Sequence, residues 1–170
     1  MAEVVGTARE PMLAAIKLAW WRDSLEKLDH EAAPAEPRLR AAARELLPRG
    51  VSGSALAALE DCWAALLEEA PDEGRLQARG VLLFSLAARL LGDKGAGLGP
   101  AGRLWAAADL ARKFGRPMPA AAELSISARR LRPLTALAVL ANRDARAGEP
   151  EPEATPARAW VLLKHRMTGR

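Results

Sequence analysis

Few residues in this chain are of a type that does chemistry, and their spacing limits what each group can do. Carboxylates four positions apart on one helix point the same way and can share a divalent cation. The acidic pairs at that spacing are Glu68/Asp72, Glu69/Glu73 and Glu149/Glu153. Pro71 interrupts the first two, and Pro150 and Pro152 break the third, so no continuous helix presents such a pair. The histidines are His30 and His165 and the one cysteine is Cys62, a set without zinc-ligand spacing. No serine or cysteine lies in a nucleophile motif. "GDKGAGLGP", within residues 92–102, lacks both a preceding strand and the Gly-Lys-Ser/Thr ending of a phosphate loop, so it reads as a connection. The sequence therefore predicts no catalytic residue, no metal site and no cofactor, with Mg²⁺ expected only if the chain were an active enzyme.

Two constellations remain. The first is Trp20-Trp21-Arg22-Asp23, inside "PMLAAIKLAWWRDSLEKLD". Each indole can bury ~150–250 Å², worth at most about 4–6 kcal/mol at ~25 cal/mol per Å². The pair is expected to fill core or to wall an apolar cavity, with Arg22 and Asp23 as an ion pair. Asp23, Glu26 and Asp29 follow at i, i+3 steps on a solvated face, where Lys27 stands four residues after Asp23. The second constellation is Arg112, Lys113 and Arg116, cations suited to gripping a phosphate directly. His165 lies in "LLKHRMTGR", a basic helix end where positive charge suits the dipole.

Charge is distributed unevenly. Residues 1–100 hold 12 Lys/Arg and 15 Asp/Glu, a net −3, whereas residues 101–170 hold 13 and 6, a net +7. Charge on solvated helix faces accounts for this most simply; the alternative is an anionic partner such as a diphosphate or an acidic lipid. A lone cysteine inside an apolar segment fits buried packing and a reducing compartment, hence a cytoplasmic location. Glu3 and the lack of a long apolar core argue against a secretory signal. No apolar run reaches the ~18 residues that a spanning helix needs.

The elements that must position these residues are helices. Half of the chain is hydrophobic, with Ala and Leu dominant, and aromatics are only 4%. Runs of alternating β-branched residues are absent. Thr7-Ala8-Arg9-Glu10 fits a capping box for a helix from Pro11 to about residue 28. Its apolar residues form two stripes, Met12/Ile16/Trp20 and Leu18/Trp21/Leu25/Leu28, covering over half of its circumference, so this helix is predicted to be central. Further helices are predicted over residues 38–47, 52–69, 73–91, 101–114, 120–127, 133–146 and 156–167. Ser52 or Ser54, Asp72 and Thr155 are the N-cap candidates, and Gly92, Gly115 and Gly148 the stops. The fold class is all-α, one helical domain over residues 1–170 with about eight helices.

The order and spacing of several segments resemble the squalene/phytoene synthase family. They are "REPMLAAIKLAWWRDSLEKLD", "LLPRGVSGSALAALEDCWAALLEE", "RGVLLFSLAARLLG", "AGRLWAAADLAR" with "GRPMP", and the terminal "TPARAWVLLKHRMTGR". The resemblance implies a trimmed isoprenoid synthase fold. Such enzymes join two prenyl diphosphates head to head, with Mg²⁺ held by two D-x-x-x-D motifs. Here the position of the second motif reads Leu110-Ala111-Arg112-Lys113-Phe114, cations in place of acids, and the first would lie before Met1. Pro117-Met118 stands where the family has Tyr-Leu, one residue shorter. A dication would be repelled there.

The expectation is a degenerate relative that binds a prenyl lipid or prenyl diphosphate without condensing it. Trp20, Trp21, Arg22, Asp23, Arg112, Lys113 and Arg116 are its candidate substrate contacts. An interaction protein like the family's non-catalytic relatives linked to respiratory complex I assembly is the first alternative. An active prenyltransferase of isoprenoid biosynthesis is the second. The resemblance also implies helices ahead of residue 7. With only residues 1–6 there, an apolar face of the central helix is expected to need cover from a second copy or another protein. Peripheral contact with the inner membrane is a further expectation, and nucleic acid is not an expected partner.

Overall fold

The computed structural model describes residues 1–7, 9–124 and 128–169. Among them the chain is all-helical. Its α-helices are α1 (Ala2–Gly6), α2 (Pro11–Lys27), α3 (Pro37–Glu45), α4 (Gly53–Ala57), α5 (Leu59–Ala64), α6 (Glu73–Leu90), α7 (Gly99–Phe114), α8 (Arg132–Ala147) and α9 (Pro156–Thr168). Short 3₁₀ turns lie at Leu47–Arg49, Ala65–Leu67 and Arg129–Leu131. No described helix is long and apolar enough to cross a membrane.

An antiparallel pair, α6 and α7, forms the spine. The two backbones meet at Gly80 and Gly102, both buried. A Cβ built on Gly80 would fall on the Gly102 carbonyl and stand 2.8 Å from the Cβ of Ala106, so only glycine permits this approach. One side of the spine packs α8 through Phe84, Ala88, Leu98, Ala101, Leu134 and Ala138. Helix α9 then runs antiparallel to α8, with His165 against Thr135 and Arg158 against Asp144. The other side packs α2 and α5 through Leu18, Trp63, Leu76 and Leu110, and α1 lays Val4 and Val5 on the same cluster.

Several expectations are refined. Thr7 does not cap α2. It closes α1, donating its hydroxyl to the Glu3 carbonyl at 2.7 Å, and Glu10 is the N-cap residue of α2. The helix expected over residues 52–69 is divided into α4, α5 and a 3₁₀ turn. Its start is fixed by Ser52, which accepts from Ala55 N–H, and by Asp29, whose two oxygens accept from Gly53 and Ser54 N–H at 2.5 and 2.9 Å. Those hydrogen bonds hold the Asp29 carboxyl below the ordinary carboxylate range. Gly53 sits so close to α2 that a Cβ would strike the Leu25 carbonyl.

The helix expected over residues 120–127 does not form over residues 120–124, and residues 125–127 lie outside those described. Asn142 explains the extended backbone. Its amide accepts from Ala122 N–H and donates to Ala122 C=O, both at 2.9 Å, occupying the groups that a helix would use. Asp72 and Thr155 cap α6 and α9 as expected. Gly115 and Gly148 close α7 and α8 in the left-handed conformation.

Helix α2 has two apolar sides. Ala14, Leu18 and Leu25 are buried, while Met12, Leu13, Ile16 and Trp20 on the opposite side are 76, 51, 60 and 48% exposed.

Candidate functional site

The strongest polar constellation begins beside the Gly80–Gly102 crossing. Arg79 follows Leu76 on the buried side of α6, and the chain keeps it there by surrounding its charge. Its guanidinium lies 4.4 Å from the Trp63 ring centroid and 5.1 Å from that of Trp105, a double cation–π contact. It donates to the Ala106 carbonyl at 3.1 Å and to the Asp109 carboxylate at 2.8 Å. The other Asp109 oxygen receives the Lys113 ammonium at 2.9 Å, one turn along α7.

A second network lies further along α7. Asp144, buried on α8, takes Arg112 on one oxygen and Arg158 on the other, each at 2.6 Å. It also accepts from Glu151 N–H at 3.3 Å. Arg112 donates in addition to the Glu151 carbonyl oxygen at 2.9 Å. The Glu151 carboxylate receives Arg143 Nε at 2.5 Å and the Thr155 hydroxyl at 3.0 Å. The Arg143 hydrogen bond, ahead of the Thr155 hydroxyl, holds the Glu151 carboxyl below its ordinary range. The segment at residues 148–155 is thus fastened to α7, α8 and α9 at once.

Between these networks a cleft of about 590 Å³ opens among α7, α8 and α9. Trp105, Leu137, Leu140 and Leu162 give it apolar walls, and Arg112 and Arg158 stand at its polar end. That volume lies within the ~300–1,000 Å³ of small-molecule sites. A larger hollow of about 690 Å³, lined by Arg143, Arg146, Lys164 and His165, lies between α8 and α9. His165 is buried with its Nε2 2.8 Å from Thr135 Oγ1. Burial, assisted by Arg132, pushes its pKa below the ordinary value, so the ring is neutral near pH 7. It is packed inside, whereas the sequence placed it with the cations of a helix end.

The expected site residues separate. Arg112 reaches the cleft. Lys113 stands just outside, bound to Asp109, and Arg116 pairs with Glu73 on α6. Trp20, Trp21, Arg22 and Asp23 sit on α2 and do not line the cleft. Trp21 is half-buried among Leu25, Leu28 and Leu39, but Trp20 is largely open, resting edge-on against Trp21 at 5.1 Å. Arg22 pairs with Asp23 at 3.3 Å and reaches the buried Glu60 at 3.6 Å. Asp23 borders a shallow polar hollow with Glu26, Lys27, Asp29 and His30. Cys62 is buried, and its thiol is pushed up by desolvation.

Sequence reasoning missed Arg79, Asp109, Asp144 and Arg158. For Arg79 there was a signal: a cation three residues after Leu76 and beside a helix glycine, on the stripe that carries the core.

The Mg²⁺ chemistry that the family resemblance implies needs carboxylates free to bind metal. Of the three carboxylates that line the cleft, Asp109, Asp144 and Glu153, the first two are already neutralised by cations, which leaves Glu153 by itself too little to hold a metal. Among the described residues no group of three or more His, Cys, Asp and Glu is placed to hold a metal ion. The donor set does not fit the ion. Comparison with protein-family models, characterised proteins and solved structures found no match.

Proposed function

We propose that this chain is a binding protein with no condensation chemistry of its own, holding an isoprenoid lipid or its diphosphate in the α7–α8–α9 cleft. One observation carries the reading: the apolar wall of Trp105, Leu137, Leu140 and Leu162 runs up to arginines already balanced by Asp144. An apolar chain gains from leaving water against such a wall. A metal–diphosphate would have to displace ion pairs to enter. The isoprenoid class is the one implied by the sequence resemblance, and the cleft's size and polarity accommodate it.

A thermal-shift titration without Mg²⁺ tests this. Farnesyl diphosphate and farnesol are both expected to raise Tm, and inorganic diphosphate is not. Leu140→Glu is expected to abolish the response. No shift with any prenyl compound would overturn the reading. Condensed product on adding Mg²⁺ would instead establish an active prenyltransferase.

A second reading, a non-catalytic interaction protein, is favoured by a different observation. Met12, Leu13, Ile16 and Trp20 form an exposed apolar stripe on α2, larger in character than the scattered apolar residues of an ordinary surface. Co-purification of a stoichiometric partner whose binding is lost on Ile16→Asp would support it.

A further inference from the structure

We infer that the hollow between the first turn of α8 and the last turns of α9 is a phosphate site, holding the phosphate end of a ligand whose apolar part lies in the α7–α8–α9 cleft. The inference rests on the cleft reading and adds the residues that tell a phosphorylated ligand from its alcohol. Its first support is continuity. Leu162 lines both the cleft and this hollow, which has a volume of about 530 Å³. On α8, Leu137 of the cleft lies one turn, about 6 Å, from Pro133 of the hollow. A chain leaving the cleft past Leu162 therefore enters the hollow over apolar surface, made by Pro133 and Ala136.

Its second support is charge. Arg129, Arg132 and Arg166 line the hollow, and no carboxylate does. The arginines of the cleft differ, because Arg112 and Arg158 both pair with Asp144. An anionic end gains more from cations that no carboxylate has claimed. Arg132 Nη1 donates to the Arg166 and Met167 carbonyls at 2.7 and 3.2 Å, covering the negative end of α9 that would otherwise repel an anion. The start of α8, which no side chain caps, adds its positive dipole. Arg129 and Arg166 are exposed, so water and salt screen them and a bare inorganic ion is not held. The apolar part of the ligand supplies the rest of the affinity.

Its third support is an unsatisfied atom. His165 lines the hollow and is 1% exposed, and its Nδ1 has no hydrogen-bond partner. A buried polar atom left alone in this way calls for a group that completes it. Nε2 lies 2.8 Å from the Thr135 hydroxyl. With that hydroxyl donating, the ring proton sits on Nδ1 and offers a phosphate oxygen a donor. His165 also borders the larger hollow between α8 and α9, but Glu149 and Glu151 stand among the cations there and would repel an anion.

Isothermal titration of the full chain with farnesyl phosphate and with farnesol, a pair differing in the phosphate alone, tests the site. Farnesyl phosphate is expected to bind roughly ten- to a hundred-fold more tightly, the range of charge-assisted hydrogen bonds. Arg129→Gln with Arg166→Gln should erase most of that difference and leave the farnesol affinity unchanged; both side chains are exposed, so Tm is expected to hold. His165→Gln should lose part of the difference. Arg130→Gln, at an exposed cation outside the hollow, should lose none. Leu140→Glu should weaken both compounds alike. Equal affinity for the two compounds overturns the phosphate site and leaves the cleft reading standing. So does an Arg130→Gln loss as large as that of the double variant, because binding would then follow overall charge. Vesicles carrying phosphatidic acid separate a bilayer lipid from a free ligand. Pelleting lost in the double variant, with farnesyl phosphate inert, would keep the phosphate site, assign it a bilayer lipid and refute the tail's place in the cleft. A chain that binds neither compound nor the vesicles overturns both readings.

Discussion

Gly80 and Gly102 lie backbone against backbone where α6 crosses α7, each filling the space that a side chain of the other would need. The crossing joins the two sides of the molecule, because α8 packs on one flank of this pair and α2 with α5 on the other. Gly80→Ala forces the helices apart despite the better helix propensity of alanine. A loss of about 3 kcal/mol is expected, at the upper end of overpacking costs. Chemical denaturation measures it, and an unchanged midpoint would contradict the close approach.

Arg79 and Asp109 form a buried pair that is costly to break from one side. Arg79→Met leaves Asp109, on the cleft wall, with the half-exposed Lys113 alone and should destabilise by roughly 3 kcal/mol, the low end of the cost of breaking a buried pair. The double variant Arg79→Met with Asp109→Leu should recover most of that loss, because the carboxylate that lost its buried partner is gone and Lys113, half exposed, can turn to water. A double-mutant denaturation cycle reads the difference.

Asp144 is the clasp of the C-terminal third. Asp144→Asn removes charge from Arg112 and Arg158 together and weakens the anchor of residues 148–155. Limited proteolysis is expected to cut this segment, rich in proline and glutamate, many times faster in the variant than in the wild type. Equal cutting rates would show that the clasp carries little.

His165 gives the fold a pH dependence with a definite sign. Its pKa is lowered in the folded chain by burial first and by Arg132 second, from an ordinary value of 6.5. The unfolded chain thus binds the proton more readily. Stability from this group is full above pH 6.5 and falls as pH drops from 6.5 towards the depressed folded value. The buried contact facing the ring is the Thr135 hydroxyl, with Arg132 the nearby cation; neither changes charge there. His165→Gln should flatten the melting-temperature profile in that window.

Ala154 holds a φ of +59°, a left-handed conformation on a residue with a side chain, beside the cleft. Ala154→Gly should relieve roughly 1 kcal/mol of this cost. Thermal unfolding of the variant checks it, and a lower melting temperature would count against the strain.

Much of the fold was legible because helix ends are written locally. Ser52, Asp72 and Thr155 each cap the helix that follows, and Gly115 and Gly148 end α7 and α8. What misled was an identical local signal with a distant competitor. Thr7 resembles an N-cap but bonds backwards to Glu3. Residues 120–124 look helical, yet Asn142, twenty residues on from Ala122, takes both backbone groups of Ala122. The cleft was less legible than the helices. Arg112 was identified as a cation, but its partner Asp144 is 32 residues away, and no periodicity reports such a pairing. The sequence puts Trp20 in the core or on the wall of an apolar cavity, because an apolar stripe does not say which of two opposite sides faces the molecule; the structure leaves it open on the outer side of α2.

The five indoles divide the molecule for light. Trp63 is shut away against Arg79, Trp21 and Trp105 are half-covered, and Trp20 and Trp160 stand open on α2 and α9. Iodide in solution should therefore quench only part of the emission and leave a blue-shifted remainder from the interior. Any occupant of the α2 stripe would shade Trp20 and shrink the quenchable share, so the chain carries its own optical gauge of whether that helix is covered.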